Sequence, residues 1–310
     1  MQRPQSLWQI ERDAAIKNPK IPWGETGAHI TEINGRGGCA VDKPYEIKNF
    51  ENKKMKPFTI IRNGAAVFAL FIIFTACATT AWNQEQADNR VNIGAAYLGS
   101  ERYNDALREF FDAEKLAPRD PKVHYYLGVA YHRKGLKDNA ITEFTKALSL
   151  RSDYSEAHNN LGIIYLEMGL WDKAIESFKN ALANVLYETP DKALFNMGTA
   201  YRGKGNYEKA IAFYQDAKNT KPNTVPPPVV DLYMGMTYYA QGNCENAVQY
   251  FKAALNAAPS LVESRYWLGQ CYIKMHDPDK ARAEFTAIIA VTEPDSGLGR
   301  EARKAFNSLR

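Results

Sequence analysis

The stretch Tyr154-Ser-Glu-Ala-His-Asn-Asn-Leu-Gly162-Ile-Ile-Tyr165-Leu-Glu-Met-Gly169-Leu-Trp-Asp-Lys-Ala174-Ile-Glu-Ser-Phe178 reads as one helix, a glycine turn and a second helix. Its apolar residues fall at helical spacing on both sides of Gly169. The same signature recurs along the chain at Gly94/Tyr97, Gly128/Tyr131, Gly162/Tyr165, Gly198/Tyr201, Gly235/Tyr238 and Gly269/Tyr272. Twelve residues after each glycine stands Ala106, Ala140, Ala174, Ala210, Ala247 or Ala281, and four later Phe110, Phe144, Phe178, Tyr214, Phe251 or Phe285. The glycines are 34, 34, 36, 37 and 34 residues apart. A fixed period of this length means that each helical pair buries its apolar face only by stacking on its neighbours.

The pattern closely resembles the tetratricopeptide repeat and implies an all-α superhelical solenoid of six helix-turn-helix units. We expect these over 87–295, with a capping helix over 296–310. Gly135, Gly169, Gly205 and Gly242 mark the turns inside four units, where a left-handed residue ends the first helix. Two extra residues lie near Val185-Leu-Tyr-Glu-Thr-Pro190. Three more lie in Pro222-Asn-Thr-Val-Pro-Pro-Pro228, read as a short extended linker that tilts the last two repeats.

Upstream of the repeats the composition changes. The first 76 residues carry 11 Lys/Arg against 7 Asp/Glu, whereas the remainder balances at 28 each. A neutral repeat region has no field to draw a phosphate backbone, so nucleic acid is not an expected partner. The uncharged run Gly64-Ala-Ala-Val-Phe-Ala-Leu-Phe-Ile-Ile-Phe-Thr-Ala76 follows Lys53, Lys54, Lys56 and Arg62. A positive flank, a short apolar core and small residues make an export signal over 55–76. Phe74-Thr-Ala-Cys77 resembles the lipobox of bacterial lipoproteins, which implies lipid attachment at Cys77 and favours the outer membrane over the inner. The alternative is an uncleaved signal anchor in the inner membrane, with residues 1–62 in the cytosol. Residues 1–54 read as an extension that the mature protein lacks or as a cytoplasmic tail, and 77–86 as a linker.

No HExxH, paired-cysteine metal spacing, CxxCH, phosphate loop or GxSxG occurs. We therefore expect no catalysis, no cofactor and no metal. His124 and His158 occupy packing positions of their repeats, and His132 faces the inner side. Cys244 opens the second helix of repeat five and Cys271 closes the first helix of repeat six. Antiparallel stacking brings these positions together, either as a disulfide or as two buried thiols.

The tetratricopeptide resemblance implies a protein partner held on the concave face of the first helices. The groove positions are Tyr125, Val129, His132 and Arg133, then Asn159, Ile163 and Leu166, then Phe195, Thr199 and Arg202. Leu232, Met236, Tyr239, Tyr266 and Ile273 complete them. The carboxylate clamp of co-chaperone members is missing, because Val91, Ala95, Tyr125 and Val129 stand in its places. A lipoprotein signal followed by six such repeats, with Leu186-Tyr187 in a long third-to-fourth junction, resembles the PilF/PilW family of type IV pilus biogenesis lipoproteins. That resemblance implies a non-catalytic factor that helps an outer-membrane secretin reach its membrane and assemble. A membrane-anchored periplasmic adaptor for another envelope complex is the alternative.

Overall fold

The computed structural model describes residues 81–293 and 295–309. Cys77, the apolar run ending at Ala76 and residues 1–54 lie outside the described residues. Among the described residues all regular structure is helical, and no helix is long and apolar enough to cross a membrane.

Six antiparallel pairs follow one another: α1 (81–99) with α2 (Tyr103–Leu116), α3 (Pro121–Arg133) with α4 (Lys137–Leu150), and α5 (Ser155–Glu167) with α6 (Trp171–Ala183). Then come α7 (Pro190–Gly203) with α8 (Tyr207–Asn219), α9 (Pro227–Gln241) with α10 (Cys244–Ala257), and α11 (Val262–Lys274) with α12 (Pro278–Val291). The cap α13 (Gly297–Asn307) closes the stack, burying Ala302 and Ala305 against the last pair. The first helix is already formed at residue 81, inside the stretch expected to be linker. In this turn the Gln84 amide donates to Asp120 Oδ2 at 2.5 Å, a surface contact with the next unit.

Each pair is locked by one contact. A Cβ built on Gly162 would stand 2.5 Å from the Phe178 ring, and Gly94, Gly128, Gly198, Gly235 and Gly269 meet Phe110, Phe144, Tyr214, Phe251 and Phe285 equally closely. The aromatic ring of the second helix lies against bare backbone of the first, which is why the period carries glycine and ring together. Turns follow the sequence reading at Gly135, Gly169, Gly205 and Gly242, all with φ between 73° and 88°. His276 and Glu101 take the same conformation without being glycine, at φ 59° and 58°.

First helices of successive repeats (α3 with α5, α5 with α7, α7 with α9, α9 with α11) approach one another, whereas second helices are not in comparable contact. Crowding on one side and spreading on the other makes the first-helix side concave. The proline segment is more ordered than a free linker. Pro227 begins α9, Val225 is buried, and its N–H donates to the buried Asp191 carboxylate at 2.8 Å. Thr224 Oγ1 donates to the same carboxylate at 2.7 Å.

Candidate functional site

Helix spacing sets the inner face. Positions i, i+3, i+7 and i+10 of each first helix share one stripe. On α7 the stripe is Lys192, Phe195, Thr199 and Arg202; on α9 it is Val229, Leu232, Met236 and Tyr239. Not all groove positions are open. Asn159, Ile163, Leu232, Met236 and Tyr266 are buried and belong to the core rather than to a binding surface. Curvature explains this, because neighbouring first helices close over these side chains. Asn159 Oδ1 instead accepts from Asn196 Nδ2 at 3.2 Å, a buried amide link between repeats three and four. Val129, His132, Leu166, Phe195, Thr199, Arg202, Tyr239 and Ile273 are half-buried and Arg133 is exposed, and these can meet a partner.

Aromatic clusters stiffen that surface. Tyr125 packs against Tyr126, Phe144 and Tyr154 at centroid distances of 5.2, 5.9 and 5.0 Å. Burial pushes its phenol well above the ordinary range. Asn160 donates to its hydroxyl at 3.3 Å, so Tyr125 is a strut with one edge on the groove. Farther along, Phe195 stands 4.7 Å from Tyr233 and Tyr239 5.2 Å from Trp267, both edge-on. His132 donates from Nε2 to Glu167 at 3.0 Å, and Lys137 donates to the other oxygen at 2.9 Å. Burial pushes the Glu167 carboxyl up, but these two donors prevail and hold it at about 2. His132 is thus engaged with its neighbour repeat.

His124 carries more than packing. It is 4% exposed, with Nδ1 2.8 Å from Glu143 Oε2 and Nε2 3.0 Å from the Pro118 carbonyl. Both ring nitrogens face acceptors, so both carry protons. Glu114, His124 and Glu143 place ligand-type atoms within 4.8 Å of one another. A doubly protonated imidazole offers no lone pair, and Lys146 already takes Glu143 Oε1 at 2.8 Å. In this structure the group forms an ion network. The sequence reading missed it because spacing does not say which polar groups meet between paired helices.

Cys244 and Cys271 do meet. They are buried and free, and share one core cluster with Tyr239 packed against it. Burial raises the Cys271 thiol. Oxidised glutathione should join them, two thiols losing their hydrogens as one glutathione disulfide becomes two thiols. The bond is expected to add about 2 to 3 kcal/mol of stability. Thiol titration and a raised Tm relative to Cys271→Ser would show it, and an unchanged thiol count after partial unfolding and refolding in the oxidant would refute it.

The third-to-fourth junction holds an unanticipated feature. Val185 and Leu186 are 94% and 82% exposed, in a turn fixed by Asn184 Oδ1 accepting from the Leu186 N–H at 2.9 Å. Tyr187 next to them is buried against Ala181 and Ala193.

Three family models described as tetratricopeptide repeat match residues 91–157, 153–222 and 238–298. No curated protein matches the sequence. The crystal structure of PilW, a widely conserved type IV pilus biogenesis factor, is similar with a TM-score of 0.65 and 20% identity, over 70% of this chain and 98% of that one. Pseudomonas aeruginosa PilF is similar with a TM-score of 0.61 and 20% identity, over 72% of this chain and 98% of that one. The Cut9–Hcn1 complex of the APC/C gives a TM-score of 0.60 and 19% identity, over 73% of this chain and 43% of that one.

Proposed function

Since the chain belongs to the tetratricopeptide-repeat family, we propose that it is a non-catalytic assembly factor of the bacterial cell envelope. In this reading the inner face holds a segment of an outer-membrane secretin while acyl chains on Cys77 hold the bilayer. The observation that carries it is the fold itself. Six pairs and a cap span nearly the whole of PilW and PilF, and they leave a concave face of ring edges, Thr199 and cationic ends. The Phe74-Thr-Ala-Cys77 motif behind a positively flanked apolar run supports export and lipidation. A single acyl chain binds membranes marginally, so an anchor of this kind needs more than one.

The test is photo-crosslinking in intact cells from an unnatural residue placed at Thr199, on the half-buried inner stripe. Capture of the secretin subunit is expected, and capture of only another envelope protein would overturn the secretin reading. In parallel, an inhibitor of lipoprotein signal cleavage should accumulate a longer form. No size change, with membrane attachment retained, would replace the lipid anchor by a signal anchor.

A further inference from the structure

The inner face changes character from one end to the other. In repeats two and three several inner-face charges are paired within the protein, since Lys122 pairs with Asp88 at 2.8 Å and Glu167 with both His132 and Lys137. In repeats four to six two of the cations rest on rings. Lys274 Nζ lies 3.7 Å above the Tyr239 ring, and the Arg202 guanidinium 5.5 Å above Tyr233. Among the described residues no carboxylate forms an ion pair with Lys274 or Lys192.

The nearby acids are turned to other work. Asp191 accepts from Thr224 and Val225, and Asp231 accepts from Lys218 at 2.6 Å. Glu263 is the one acidic residue on the three inner stripes of these repeats. Burial lowers the Lys192 ammonium below its usual range, and Asp191 offsets this only in part. A half-buried lysine in that state is stabilised by any carboxylate that reaches it.

We propose that the inner face of repeats four to six takes an extended, acidic and apolar protein segment. Its carboxylates reach Lys192, Arg202 and Lys274, and its apolar side chains lie on Phe195, Tyr239 and Ile273. Lys192 and Arg202 stand at the two ends of one stripe, ten residues and about 15 Å apart along α7. In an extended chain, residues an even number apart share a face and residues four apart are about 13 Å apart, so two acids at that spacing can meet both cations with an apolar side chain between them. This selectivity rests on the groove reading above but adds a sign of charge, which that reading does not require.

The experiment uses the full chain and three fluorescein-labelled peptides. One is Glu-Leu-Phe-Leu-Glu, and the others replace both glutamates with glutamine or with lysine. Fluorescence anisotropy should show the acidic peptide binding about tenfold or more tightly than the glutamine peptide, with the lysine peptide weakest. Added salt should narrow the gap. Lys192→Glu and Lys274→Glu, with unchanged helix content, should each cut acidic-peptide affinity and favour the lysine peptide. Equal binding of all three peptides overturns the acidic selectivity while leaving an apolar groove. Preference for the lysine peptide also overturns it, and failure of all three to bind overturns both readings.

Discussion

Phe178→Ala is expected to cost about 4 kcal/mol of unfolding free energy. The ring is fully buried, and it lies where a Cβ on Gly162 would fall 2.5 Å from its edge. Removing it opens a void between α5 and α6 that rigid helices cannot close. Gly162→Leu should cost a comparable amount for the opposite reason, because the added side chain prises the helices apart. Together the two changes should cost less than their sum, since leucine then grows into the space the ring leaves. Urea unfolding of the two single variants and the double variant measures this. Strict additivity would show that glycine and ring do not share one contact. Because each repeat touches only its neighbours, hydrogen exchange should speed up around repeats two to four and stay slow in repeat six.

That contact is also the part of the fold most legible in the sequence. A ring on bare backbone requires glycine and an aromatic at one fixed separation, so the requirement is written into every repeat. The left-handed turns were legible for the same reason wherever glycine supplied them. They were hidden at His276 and Glu101, where the neighbouring helices impose φ > 0 on residues that do not advertise it. The groove was half legible. Helical spacing places Leu232, Met236 and Tyr266 on the inner stripe, but whether a stripe is open depends on how tightly adjacent first helices crowd, which spacing does not encode. The meeting of Cys244 and Cys271 followed from antiparallel stacking alone. The exposed Val185-Leu186 pair did not, because two apolar residues in a run ordinarily point inward, and only the Asn184 turn holds these out.

The second large effect lies in the buried ion network between the two helices of repeat two. Glu143→Ala is expected to cost about 3 kcal/mol, as when one partner is removed from a buried pair. It strips the acceptor from His124 Nδ1 and from Lys146 together. The cost should depend on pH, and the sign follows from the two partners. The hydrogen bond to Glu143 outweighs burial and raises His124 above 6.5. Its contribution is therefore complete below pH 6.5 and fades as pH climbs through the raised value. For Glu143, burial pushes upward, but hydrogen bonds from His124 and Lys146 prevail and place it below 4.5. Its contribution is present above pH 4.5 and fades as pH falls through the lowered value. Native stability should thus gain most from the pair between those two values. Glu114 on α2 adds a further negative charge that favours the imidazolium. His124→Gln keeps a donor toward Glu143 but cannot titrate. It should flatten the stability profile on the alkaline side while costing less than Glu143→Ala, because Lys146 still partners the carboxylate. Urea midpoints taken from about pH 4 to about pH 9 decide the matter. If the His124→Gln profile keeps the full alkaline slope of the native protein, another group sets that slope and the imidazolium assignment fails.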